Sequence, residues 1–199
     1  MTRQKDFFDT RAGDWEETCY PPPVRQRLER LILTFGVEAG ERLLDIGTGP
    51  GVLIPYLRTM AGETGQVVAA DLSFEMVWLA AKKILTPKDL AAQADVGFLP
   101  FANDVFDRVI CFAAFPHFAA PEAAVAEMGR VLRPDGQLVI AHLMSRKELA
   151  AHHGAHHAVE KDLLPKNSVM ARIFQNAGLA LPAIIDRPGR YLARGAKIG

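Results

Sequence analysis

Asp45, Asp71 and Asp95 each follow a short apolar stretch, and Asp45 stands just before three closely spaced glycines, Gly47, Gly49 and Gly51. A carboxylate beside a pyrophosphate repels it, whereas beside an ammonium it forms a charge-assisted hydrogen bond. Glycines let a ligand approach the backbone where a Cβ would occupy its space. Gly47-Thr48-Gly49-Pro50-Gly51 is therefore expected to hold a ligand that is cationic and close to the main chain. A dinucleotide fingerprint begun at Gly47 wants glycine at position 52, where Val52 stands, so a nicotinamide dehydrogenase is disfavoured. Asp71 lies one strand–helix–strand unit further on and can accept from both hydroxyls of a ribose. Leu72 and Met76 are expected against one face of an adenine. Asp95 is expected to accept from an exocyclic amine, with the Val96 N–H beside it.

These residues need elements to carry them. Arg42–Ile46, Gln66–Ala70, Leu90–Ala94, Phe106–Ala113 and Gln137–Leu143 read as strands, and Val52–Met60, the stretch from Glu75 to about Leu85, and Pro121–Leu132 as helices between them. Arg133–Gly136 reads as a turn. Ser73 is a good N-cap, and Pro21-Pro22-Pro23 opens an earlier helix that Gly36 ends. Helical sequence returns over Ala150–Lys161 and Ser168–Ala177. Alternating strands and helices specify a doubly wound α/β fold with a mostly parallel sheet. The chain closes on strands near Ala180–Asp186 and Arg190–Ile198, joined through Pro188-Gly189, which predicts a C-terminal antiparallel hairpin at one edge. Open parallel sheets take ligands beyond the carboxyl ends of their strands, where the three aspartates would gather.

Composition narrows the partner. The chain has 199 residues, 49% of them hydrophobic, and 23 basic residues balance 23 acidic ones. That length suits a single domain able to fill a core. Zero net charge gives no bulk attraction to nucleic acid or anionic membrane, so a small-molecule partner is expected. Two cysteines, Cys19 and Cys111, make no disulfide framework, and no apolar run reaches a membrane-spanning length. A cytoplasmic protein is expected.

Four of the six histidines fall in His152-His153-Gly154-Ala155-His156-His157. On a helix, His152/His156 and His153/His157 are pairs at i, i+4, each able to chelate a metal. Gly154 weakens that helix, and no carboxylate or cysteine completes a set nearby, so a bound metal is not expected. A polar surface helix is the plainest reading, and a wall of a substrate pocket that includes His153 is the second. His117 and His142, at the carboxyl ends of the fourth and fifth strands, are candidate general bases and pocket residues. A non-catalytic sensor of a small cofactor or metal, using His152–His157, is the alternative to an enzyme.

Leu43–Gly51 resembles the first motif of class I S-adenosylmethionine-dependent methyltransferases. The likeness continues through Ala70-Asp71-Leu72-Ser73, Ala94-Asp95-Val96, Leu99-Pro100-Phe101, Phe106–Cys111 and Val131–Gly136. The closest flavour is the ubiquinone/menaquinone-biosynthesis branch. The resemblance implies a Rossmann-like seven-stranded sheet and methyl transfer from S-adenosylmethionine to a small molecule, leaving S-adenosylhomocysteine. It implies Asp45 and Gly47 near the methionine part, Thr48, Gly49 and Gly51 among the cofactor-binding residues, Asp71 on the ribose, and Asp95 and Val96 on the adenine. It further implies a Cys111 carbonyl accepting from the cofactor's amino group, and a covering Phe7–Tyr20 segment whose Trp15 and Cys19 line the acceptor side. A single domain is expected: residues 1–36 as lid and helix, 37–143 as cofactor-binding core, and 144–199 as helical insertion and hairpin.

Overall fold

The computed structural model describes residues 8–154, 159 and 162–199. They form two compact units, one ending at Asp95 and one beginning at Val96. In the first, a short helix α1 (Trp15–Cys19) precedes α2 (Pro22–Ile32), whose first turn takes prolines without losing a hydrogen bond. Its apolar stripe, Leu28, Leu31 and Ile32, is buried. The rest alternates: β1 (Arg42–Ile46), α3 (Ile54–Ala61), β2 (Gln66–Asp71), α4 (Phe74–Ala81) and β3 (Leu90–Gln93). β1 and β2 run parallel from Arg42↔Gln66 to Ile46↔Ala70, and β2 and β3 from Val68↔Leu90 to Asp71↔Gln93. Leu43, Leu44, Val67 and Val68 are buried, each contributing roughly 1.5–3 kcal/mol by leaving water.

The alanine-rich β3 has little intrinsic strand preference, and a buried clamp compensates. Asp89, just before it, accepts from the Val67 N–H at 2.8 Å and from the Arg58 guanidinium at 2.7 Å. This fixes where β3 begins against β2.

In the second unit β4 (Phe106–Phe112) is buried along its whole length. It is followed by α5 (Pro121–Val131), β5 (Leu132–His142), α6 (Arg146–Gly154), α7 (Asn167–Asn176), β6 (Ala183–Arg187) and β7 (Arg190–Ala196). β4 and β5 are parallel, whereas β7 is antiparallel to both β5 and β6. The expected turn at Arg133–Gly136 lies inside β5. The pairing runs Phe106↔Leu132 and then Arg108↔Gln137, so the intervening residues bulge, with Asp135 at φ 64°. The expected C-terminal hairpin is present, turning at Gly189 (φ 76°). Seven strands form one mixed sheet in the order β3-β2-β1-β4-β5-β7-β6, a Rossmann-like α/β arrangement.

Candidate functional site

The glycine turn in the first unit is built from β1 upward. Gly47 and Thr48 both donate to the Ala70 carbonyl, at 2.8 and 3.1 Å, which folds the chain back over the end of β2. Gly47, Gly49 and Gly51 have φ values of 65°, 54° and 77°, a backbone region that other residues enter only with strain. Their surroundings differ. A Cβ on Gly51 would meet Ile54 Cδ1 at 2.7 Å and Ala80 Cα at 3.0 Å, so this glycine serves packing against α3 and α4. A Cβ on Gly49 would meet nothing within 4 Å among the described residues, so here the backbone borders open space.

The two acids flank this turn. Asp45 is buried at 1% exposure, and among the described residues its hydrogen-bond partner is the Thr48 hydroxyl, which donates at 2.7 Å. Burial pushes its carboxyl up to about 7; the Thr48 hydrogen bond works against that rise and the nearby Asp71 adds to it. Among the described residues, no basic side chain contributes to that balance. Asp71 accepts from the Gly49 N–H and the Ser73 N–H, both at 2.9 Å. Burial nevertheless raises its carboxyl, and Asp9 adds repulsion. Two desolvated carboxylates with no cation among the groups acting on them make this end of the unit electronegative.

Ser73 caps α4 as expected, accepting from the Met76 N–H at 3.2 Å, and its hydroxyl also donates to Asp9. The expected helix to about Leu85 stops at Ala81. Leu72 is exposed, whereas Met76 is 1% exposed within the α4 packing. Asp95 is exposed and Val96 half-buried in the loop after β3.

The N-terminal segment is anchored to the same unit. Glu16 pairs with Arg25 at 2.8 Å and with Lys83 just beyond α4. Burial raises the Glu16 carboxyl, but these two cations outweigh it and hold it below its ordinary value. Trp15 is half-buried, edge-on to Phe8 with centroids 5.4 Å apart. Cys19 is half-buried and its thiol is pushed up by burial, so it stays protonated at neutral pH. Tyr20 matters more than the sequence suggested. Its phenol is raised by burial and by the neighbouring Cys19, Asp45 and Glu16, which puts it within electrostatic range of Asp45. Phe7 lies outside the described residues.

The second unit carries the histidines. His117 ends a single helical turn, Phe115–His117, after β4. Its Nδ1 lies 2.7 Å from Asp162 Oδ2. His153, on α6, is buried and places its Nδ1 2.6 Å from the Asp162 main-chain carbonyl. The His117 and His153 rings are 5.3 Å apart. Burial holds the His153 imidazole below its ordinary value. His152 is exposed, and its ring lies 5.9 Å from that of His153. His156 and His157 lie outside the described residues, so neither i, i+4 pair is described. Among the described residues, no three His, Cys, Asp or Glu side chains are grouped to hold a metal. His142 Nδ1 accepts from the Met144 N–H at 3.0 Å, so the neutral ring carries its proton on Nε2, a donor rather than a base. Cys111 is fully buried in β4. Asp162 and Asp9 do not share the strand-end pattern of the other acids, so the sequence does not single them out.

Residues 44–140 match the family described as "Methyltransferase domain". Just under half of the chain is thus similar to a methyltransferase domain. The relatives of this domain include the ubiquinone/menaquinone biosynthesis C-methyltransferase UbiE of Teredinibacter turnerae, 36% identical over 109 residues that cover 53% of this chain and 44% of that protein. The Coxiella burnetii protein of the same name is 31% identical over 134 residues, 65% of this chain and 53% of its own. The chain thus spans about half the length of these curated relatives. Among solved structures, the complex between the Haloferax volcanii Trm112 methyltransferase activator and a methyltransferase supplies a chain with TM-score 0.81 at 23% identity, covering 96% of this chain and 98% of that one. A phosphoethanolamine N-methyltransferase 2 of Haemonchus contortus, in complex with S-adenosyl-L-methionine, has TM-score 0.78 at 16% identity, covering 100% of this chain and 61% of that one. At these identities the structures speak for the fold of the methyltransferase domain. Among the described residues, no helix is long and apolar enough to cross a membrane.

Proposed function

We propose that this chain transfers a methyl group from S-adenosylmethionine to a small-molecule acceptor. The observation that carries the reading is Asp45: a buried carboxylate, raised to about 7, with no cation among the described residues acting on it and a glycine turn beside it. A ligand ammonium fits that place, because it stabilises the charged carboxylate that burial penalises. Asp71 accepts main-chain amides on both oxygens and keeps lone-pair capacity for the hydroxyls of a ribose. Gly49 opens onto the space a nucleoside needs, whereas a phosphate there would meet two acids.

S-adenosylmethionine supplies a methyl group on a sulfonium whose departure is already activated. The chain's own residues therefore have to align and desolvate rather than activate the leaving group. The buried acids and the Tyr20 segment do this on the first unit. The relatives named for ubiquinone/menaquinone biosynthesis support a carbon acceptor on a quinol-like ring. Calorimetric titration of the pure protein with S-adenosylmethionine tests the reading. Binding that Asp45→Asn weakens at least tenfold at pH 8 is expected, and absence of binding to the wild type overturns it.

A further inference from the structure

β3 ends the strand order, so one side of its backbone has no strand beside it among the described residues. Ala94 N–H donates to the Asp71 carbonyl at 2.9 Å, and alternation along the strand then turns the N–H and C=O groups of Ala91 and Gln93 outward. Edge strands that stay single carry charges, prolines or bulges. β6, at the other end of the order, does so: it holds Asp186 and Arg187 and lies between Pro182 and Pro188. Leu90-Ala91-Ala92-Gln93 has no charge and no proline, and its register with β2 has no shift. The helix over it is equally open. α4 packs on β2 and β3, yet its Phe74 and Trp78 are 55% and 50% exposed, and Leu90 is 51% exposed. Large apolar side chains gathered beside an open edge mark an interaction surface.

Charge says what covers it. Gln93 Nε2 donates to the Leu72 carbonyl at 2.9 Å, so β3 ends where α4 begins and the two run in opposite directions. Glu75 and Asp95 therefore mark one end of the surface and Lys82 and Lys88 the other, all four exposed, with Phe74, Trp78 and Leu90 between them. Lys82 Nζ lies 3.1 Å from the Trp78 ring centroid, which holds this charge against the apolar middle. A surface that is acidic at one end and basic at the other is complementary to itself when turned half a revolution about an axis through its centre. We propose that this surface is the interface of a homodimer, in which β3 pairs antiparallel with β3 of a second copy and the two α4 helices lie side by side. Glu75 of each copy then faces Lys82 of the other, and the outward groups of Ala91 and Gln93 gain main-chain partners. Pairing uses up this edge on both copies, so the assembly closes at two chains instead of growing into a fibre.

Sedimentation velocity of the full chain over a concentration series tests this. The wild type is expected to pass from monomer to dimer with a dissociation constant on the order of micromolar, as suits a small interface, and to form nothing larger. Glu75→Lys and Lys82→Glu each bring like charges together twice per dimer, and each should weaken association about tenfold or more at low salt. Mixed in equal amounts, the two variants should regain wild-type affinity, since every charged contact in the mixed dimer again joins opposite signs. Ala91→Pro, whose lost N–H faces outward, should abolish pairing while the far-UV circular dichroism stays that of the wild type. A wild type that remains monomeric up to about 1 mM would overturn the proposal and leave the edge to a strand of a different protein. Single charge variants that associate as the wild type does would overturn it too, marking the association as apolar contact alone. So would a mixture as weak as its two components, because the charges would then not meet across a two-fold axis.

Discussion

Replacing Asp45 with asparagine should stabilise the empty protein while crippling its ligand binding. The folded carboxyl sits at about 7 against an ordinary 3.8, because burial penalises its charge. Folding therefore takes up a proton between those values, and stability falls as pH rises from about 4 to about 7. The gap of roughly three pH units corresponds to about 4 kcal/mol, fully felt above pH 7 and absent below about pH 4. Asparagine carries no charge to desolvate and still accepts from the Thr48 hydroxyl, so the variant lacks this slope. Urea unfolding without ligand at pH 5, 6, 7 and 8 reads it directly. The variant's advantage should be largest at pH 8, equivalent to a Tm gain on the order of 10 °C, and should shrink toward pH 4. Ligand affinity should move the other way. If only the ionised carboxylate takes the ammonium, wild-type affinity for S-adenosylmethionine approaches a tenfold loss per pH unit below about 7, and Asp45→Asn shows none of that dependence. Parallel stability profiles for the two proteins would refute the reasoning, since they would mean that burial does not penalise this carboxylate.

The glycines should divide by role. Gly51→Ala should cost several kcal/mol in urea unfolding, because its Cβ meets Ile54 and the Ala80 backbone, whereas Gly49→Ala should cost only the ~1–2 kcal/mol of its left-handed backbone but lose most S-adenosylmethionine affinity in calorimetry. Tyr191 is fully buried and, among the described residues, its hydroxyl has no hydrogen-bond partner, so Tyr191→Phe should raise stability by about 1 kcal/mol or leave it unchanged; a loss above that, measured by thermal unfolding, would reveal a partner for the hydroxyl.

The sheet was legible because its strands and helices follow different periods and because Pro188-Gly189 can only reverse the chain. The acids of β1 and β2 were legible because each ends an apolar strand. Other features were not, for identifiable reasons. Nothing in the spelling of Gly49 and Gly51 separates a glycine beside open space from one wedged against α4; only the packing around them does. Arg133–Gly136 has the composition of a turn and bulges within a strand, because the flanking pairs with β4 continue on both sides. In α4 Met76 is buried while Phe74 and Trp78 are exposed, and periodicity alone does not choose which of these large side chains faces inward. Asp162 meets His117 and His153 only once the chain is folded, so no local pattern in the sequence announces the contacts.

Asp71 carries a consequence for how a guest enters. With each oxygen already engaged by an amide, one from the bend and one from the start of the next helix, the bend holds its outline through the chain's own hydrogen bonds. Little ordering remains to be done on arrival, so occupancy should leave this bend's amide exchange rates nearly as they were, and the entropy lost on capture should come chiefly from the incoming molecule.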